Sequence, residues 1–302
     1  MKFLDFSRKT APKIRRLGCV FGDTCFDITK AIGDDLLEFS RVAFSIEEVL
    51  QVKDGLALLE QQLGQLKRSS SGIQPFLFHP EDVRIHAPIT HPQKLIGIGL
   101  NYRDHVEELK GQIPKQPLLF GMYGNAIIGP EDSIIIPPMS QQVDYEAELG
   151  IVIGKRARQV PVEAAIEYVA GYTIINDVSA RDLQFSDGQW VRAKSFDTFA
   201  PMGPYLVTPD TLRDGDGLGI ELRLNGKTMQ KSNTNNLIFK VRDLVSYISQ
   251  VMTLEVGDVI ASGTPGGVGY GRNPQVFLKP GDVVEIEIEG IGQLRNPVAD
   301  FD

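Results

Sequence analysis

The sequence predicts an α+β chain that is mainly β, a sandwich or roll carrying a small α+β unit at its N-terminus. Three observations carry this. Short apolar runs bounded by turn residues recur from Val83 to the C-terminus, and helical patterns are few among them. Residues 1–75 differ, because they contain one long face at helical spacing.

In the N-terminal unit, Arg15–Val20 and Thr24–Ile28 read as two strands across the turn Gly22-Asp23. Ser45-Ile46-Glu47-Glu48 has capping-box spacing and opens a helix. Its apolar face is Val49, Val52, Leu56, Leu59, Leu63 and Leu66, at alternating steps of three and four, with Gly55 and Gly64 as interruptions. Lys67–Gly72 is a polar linker, which divides the chain into residues 1–75 and 76–302.

Beyond the linker, Lys94–Ile98 predicts a buried strand. Asn101–Glu108 predicts a short helix with Asn101 as N-cap and Asp104 three residues on. Further strands are predicted at Leu118–Phe120, Ser133–Ile136, Leu149–Ile153, Gly171–Ile175, Tyr205–Val207, Ile220–Leu224, Val259–Ala261, Val283–Ile288 and Gln293–Leu294. Asn225-Gly226 is a hairpin turn. Helices are predicted at Val162–Tyr168, Ser179–Phe185 and Lys240–Met252.

The bulk numbers narrow the function classes. A net charge of −8 over 302 residues argues against nucleic-acid or anionic-membrane partners. No apolar run approaches a transmembrane span, and an acid, Asp5, sits where a signal peptide needs an apolar core. Two cysteines in such a chain are expected as buried thiols in a cytoplasmic protein. With four histidines and two cysteines, any metal here is expected on oxygen ligands.

The stretch Tyr145–Ile153 supplies candidates for such ligands. Alternation puts Glu146 and Glu148 on one face of a strand, where two buried carboxylates require a shared proton or a cation. An edge strand with both acids in water is the competing reading. Asp177 closes another apolar strand, and Arg181 and Gln184 follow at i+4 and i+7 on one helical face; a capped helix with a surface ion pair competes. His105 and Glu108, at i and i+3, form a candidate base dyad against an ordinary surface helix. Lys194 follows the single Trp190 and could stabilise an enolate, form a Schiff base, or simply be solvated. Gly97-Ile98-Gly99 lacks the third glycine of a dinucleotide fingerprint, and Ser262–Gly269 lacks the lysine of a phosphate loop. In the latter, Gly263 and Thr264 offer donors to a small carboxylate, while a structural turn competes closely.

Taken together, the chain from about Lys94 to Pro297 resembles the fumarylacetoacetate hydrolase family. The resemblance rests on Gly99-Leu100-Asn101-Tyr102 with His105 and Glu108, Asp144–Leu149, Asn176–Asp182 with Gln184, Lys194–Asp197 and Ser262–Gly269, all in order. It implies a mixed β-roll, usually dimeric, with Mg2+ or Mn2+ on Glu146, Glu148 and Asp177. It further implies His105 and Glu108 as the base dyad, and Arg181, Gln184, Lys194 and Thr264 as substrate contacts. One departure is visible: Phe120–Tyr123 stands where relatives often carry a lysine. The activity implied is metal-dependent C–C hydrolysis of an acylpyruvate, with pyruvate released. Oxaloacetate decarboxylation, 2-oxo-enoate hydration or oxaloacetate tautomerisation are alternatives on the same site. The non-enzyme alternative is a β-rich binding protein with a structural ion.

Overall fold

A computed structural model describes residues 1–69, 72–186 and 188–301. The predicted class holds: a twelve-stranded mixed sheet packs against a smaller five-stranded one, with few helices. Across the larger sheet the order is Leu77–Phe78, Thr24–Asp27, Ala11–Phe21, Lys2–Arg8, Ala200–Val207, Val169–Asn176, Ala147–Ile153, Val259–Ala261, Leu95–Gly99 and Leu118–Met122. Ala147–Ile153 and Val169–Asn176 lie at the centre, so both of their faces are covered and all of their residues are buried. That is why each reads as a continuous apolar run instead of an alternation.

The smaller sheet shows the opposite pattern. Gly219–Leu224 and Val283–Ile288 alternate, with Ile220, Leu222, Leu224, Val284, Ile286 and Ile288 buried inward. Each such aliphatic side chain contributes roughly 1.5–3 kcal/mol of burial. Asn225 and Gly226, both at positive φ, join Gly219–Leu224 to Lys227–Asn233, as a two-residue hairpin requires.

The N-terminal region departs from expectation in three places. Lys2–Arg8, not anticipated from the sequence, pairs with Ala11–Phe21 on one side and with Ala200–Val207 and Val83–His86 on the other. Ile28 opens a short helix, Ile28–Gly33, instead of ending a strand. The long helix is broken into Ile46–Leu50 and Gly55–Ser69. Asp54 takes a positive φ at the break, and a side chain at Gly55 would meet the Val49 carbonyl at 2.4 Å. Ser45 caps the first piece by accepting from Glu48 N, while the Glu48 carboxylate reaches back to Phe44 N. The second piece runs through part of the expected linker, of which Ser70 and Ser71 lie outside the described residues.

Cys19 and Cys25 are free and buried, and burial raises both thiols, Cys19 to about 12. Among the described residues no helix is long and apolar enough to cross a membrane. The pairing of Val169–Asn176 with Ala200–Val207 shifts register between Tyr172 and Ile174. Beside that shift the strands close up on Gly171, where an added Cβ would lie 2.6 Å from the Val207 carbonyl oxygen. A backbone atom there cannot turn aside. Gly171→Ala is therefore expected to destabilise the protein by about 1–3 kcal/mol in urea unfolding. A change under about 0.5 kcal/mol would show that the central pairing is looser than described.

Candidate active site

Strand register builds the site. Ala147 pairs with Asn176, and Glu148 with Ile175, in the antiparallel centre of the large sheet. Glu146 immediately precedes the first strand and Asp177 immediately follows the second, so both come to the same sheet end. Two further bonds hold them: Asp177 N donates to Glu146 O at 2.9 Å, and Glu146 N to Asn176 Oδ1 at 3.0 Å. The structure thus brings Glu146, Glu148 and Asp177 together, with one carboxylate oxygen from each within 4.8 Å of the other two. All three are buried.

Two buried cations answer them. Lys194 Nζ donates to Glu146 Oε2 at 2.9 Å, Asp177 Oδ2 at 2.6 Å and Ser179 Oγ at 2.9 Å, which uses all three of its protons. Burial works against its charge, but Asp177 and Glu146 outweigh it and raise the ammonium pKa. Lys194 is buried, so it is not the solvated lysine of the competing reading, and its charge lies directly against Glu146 and Asp177. Arg181 Nη2 lies 2.7 Å from Glu146 Oε1 and 2.9 Å from Asp144 Oδ2. Its Nη1 donates to Gln184 Oε1 at 2.9 Å.

These partners split the acids. Burial raises Glu146, but Lys194 and Arg181 override it and hold its carboxyl down at about 2. For Glu148, burial followed by the charges of Asp177 and Glu146 pushes the carboxyl well up. Asp177 is lifted to about 6 by burial despite Lys194. The pocket therefore holds more acid than its cations neutralise. Asp177 Oδ1, moreover, is a buried acceptor without a hydrogen bond. An all-oxygen donor set with surplus negative charge fits a hard divalent ion such as Mg2+ or Mn2+.

His105 and Glu108 sit on the helix Arg103–Glu108, with His105 Nδ1 and Glu108 Oε2 3.4 Å apart. Burial raises the Glu108 carboxyl, but its bonds to His105 and Gly267 N bring it below the usual range. Tyr102 is the helix N-cap, not Asn101. The Asn101 side chain instead accepts from Phe239 N and donates to the carbonyls of Phe239 and Ser262. The segment after Asp177 is likewise not one helix: Ser179–Ala180 is a short strand and the helix is only Arg181–Gln184. Arg181 and Gln184 reach the site, although not through the helical spacing from Asp177 that the sequence suggested.

The glycine-rich loop is filled from within. Gly263 N donates to Glu148 at 2.8 Å, Gly267 N to Glu108 at 3.0 Å, and Gly269 N and Tyr270 N to Asp144 at 2.7 and 2.9 Å. Gly263 therefore supports a carboxylate of the protein itself, in place of the expected small-molecule carboxylate. The Thr264 hydroxyl donates to Ala147 O at 3.0 Å and accepts from Gln230 Nε2 at 2.8 Å, so its proton is already committed.

All of this surrounds one cavity of about 190 Å3, lined by Glu146, Glu148, Asp177, Arg181, Gln184, Lys194, His105 and Thr264. Its remaining wall is apolar and includes Phe120 and Trp190, whose rings meet edge-on at 5.3 Å. Sequence reasoning missed this wall, but a signal for it was present. Gly97 and Gly99 lie on one face of Leu95–Gly99, and a Cβ on them would strike Phe120 at 2.1 Å and Trp190 at 2.4 Å. The pair that fails as a dinucleotide fingerprint makes room for two aromatic rings.

Comparison with known proteins agrees with this geometry. The fumarylacetoacetate hydrolase C-terminal family model matches residues 94–299. An uncharacterized protein of Archaeoglobus fulgidus is 56% identical over 215 residues, which is 71% of this chain and 82% of the relative. A mitochondrial oxaloacetate tautomerase of Rattus norvegicus is 46% identical over 240 residues, 79% of this chain and 76% of that protein. The solved fumarylacetoacetate hydrolase of psychrophilic Exiguobacterium antarcticum covers both chains fully at 35% identity and a TM-score of 0.82. The chain belongs to the fumarylacetoacetate hydrolase family.

Proposed function

We propose that the protein is an enzyme of enolisable 2-oxo acids and that its leading reaction is the keto–enol tautomerisation of oxaloacetate. The observation that carries this is one small cavity lined at once by the acid triad, two buried cations and the His105 imidazole. Glu146, Glu148 and Asp177 would hold Mg2+ or Mn2+, and the ion when bound would supply Lewis-acid polarisation of the substrate's carboxylate and 2-oxo group. His105 delivers a proton to the carbon beside the keto group as the enol O–H proton is released, and removes it in the reverse direction. Glu108, close to Nδ1, orients the ring so that Nε2 faces the substrate. Lys194 and Arg181 supply fixed positive charge where the enolate oxygen develops.

The sequence reading placed C–C hydrolysis of an acylpyruvate first. The 46% identical tautomerase moves tautomerisation ahead of it. Hydrolysis stays as the second reading because the apolar Phe120–Trp190 wall suits an acyl group. It would add water to the distal carbonyl, break the C–C bond and release pyruvate. The expected homodimer and cytoplasmic location are part of the same proposal; the rat relative is named as mitochondrial.

The deciding experiment follows loss of enol-oxaloacetate absorbance and pyruvate release from acetylpyruvate in parallel, with chelator and with Mg2+ or Mn2+ restored. Metal-dependent enol loss is expected, with Glu146→Ala inactive and His105→Ala slower by about 10²–10⁴-fold. Turnover of neither substrate by metal-replete protein would sink the proposal, and pyruvate release alone would select hydrolysis.

A second expectation concerns pH. Burial raises both Glu148 and Asp177, Asp177 to about 6, so the metal-free site takes up a proton as pH falls through about 6, and a bound cation must displace it. Mn2+ affinity should therefore rise with pH between about 5 and 7, around the raised Asp177, with protons released on binding in titration calorimetry. An affinity flat across that range would contradict the assigned ligands.

A further inference from the structure

Asp144 is wholly buried two residues before Glu146, in a short strand paired with Ser179–Ala180. The mechanism above gives it no task. Its carboxylate accepts from Tyr145 N at 2.8 Å, Gly269 N at 2.7 Å, Tyr270 N at 2.9 Å and Arg181 Nε at 2.9 Å. Two carboxylate oxygens offer about four acceptor positions, so Asp144 is saturated and has none left for a metal or a substrate.

What it holds is informative. Arg181 is shared between Asp144 and Glu146, and its third anchor is Gln184. Without Asp144 the guanidinium would settle its whole charge on Glu146, one of the triad that would bind the metal. Glu146 would then be a poorer ligand, and the Arg181 charge would lie elsewhere in the cavity. Tyr270 and Val268, from the loop that Asp144 anchors, line the same cavity as Arg181. The loop is built around that bond, because a Cβ on Gly269 would lie 2.7 Å from Asp144 Oδ1 and 1.8 Å from the Val276 carbonyl.

We propose that Asp144 is a positioning residue: acting through Arg181, it shares the guanidinium with Glu146 and fixes it at the cavity edge, so that Glu146 does not carry the whole of that charge. The inference rests on the proposed 2-oxo-acid reaction only for its activity readout; Mn2+ affinity tests it independently.

The test is a double-mutant cycle of Asp144→Asn, Arg181→Met and the combined variant. Mn2+ dissociation constants come from calorimetry, kcat/KM from enol-oxaloacetate turnover, and folding from near-ultraviolet circular dichroism. Asp144→Asn alone is expected to weaken Mn2+ binding and kcat/KM by about 10–100-fold, the usual scale for a residue supporting a metal ligand. In the Arg181→Met background the same substitution should cost less than about threefold. An equal fold-loss in both backgrounds would overturn the proposal, since Asp144 would then act without Arg181. If Asp144→Asn does not fold, Asp144→Glu carries the same cycle with the charge kept. Mn2+ binding with this coupling but no turnover would sink the proposed reaction and leave the Asp144 assignment standing. A wild type that binds no Mn2+ would overturn both.

Discussion

The structure depends on a cluster of buried charge at one end of its central strand pair. Asp144, Glu146, Glu148 and Asp177 are each at most 5% exposed, and so are Lys194 and Arg181. Isolated ions in such a place would cost many kcal/mol, so the fold has to surround them with partners. It does this in two ways. The cations lie between the acids, and backbone N–H groups donate to Glu148 and Asp144. Even so, four acids face two cations. The residual repulsion appears as the raised Glu148 and Asp177 carboxyls, and a dication would relieve it.

This arrangement explains how the central strands serve chemistry as well as packing. Ala147–Ile153 and Val169–Asn176 pair antiparallel with Ala147 opposite Asn176 and Glu148 opposite Ile175. That register alone decides that Glu146 and Asp177 meet. A buried, fully paired sheet also lets side chains stay where they are placed, which a preorganised site requires.

Much of this was legible in the sequence, for physical reasons. The three acids could be read because strand alternation and strand ends are local facts. The Asn225-Gly226 hairpin and the Ser45 cap were likewise set by residues a few positions apart. What escaped was decided by tertiary contact. Lys2–Arg8 mixes Asp5 and Ser7 with phenylalanines and is a strand only because it lies between other strands. The long helical face broke at Gly55 because a local kink packs Gly55 against Val49. Asn101 has the chemistry of an N-cap but is drawn across the fold to Phe239 and Ser262, where it satisfies buried carbonyls and an amide. Arg181 and Gln184 were placed in the site for a helical spacing that the chain does not adopt; what brings Arg181 there is the attraction of Asp144 and Glu146.

The glycine-rich loop shows why a cradle signature need not mean an external anion. Successive N–H groups in such a turn create a positive concavity, and some carboxylate or phosphate must fill it. Here Glu148, Glu108 and Asp144 fill it. Gly267, at φ +105 with the Met229 carbonyl 2.2 Å from where its Cβ would be, shows how tightly the loop is drawn down. The consequence is mechanical as well as electrostatic. A single loop grips one member of the acid triad, the carboxylate beside His105, and the acid bound to Arg181. Glu148 of the triad, Glu108 beside His105 and Asp144 beside Arg181 therefore share one set of backbone donors, and none can shift far without the others.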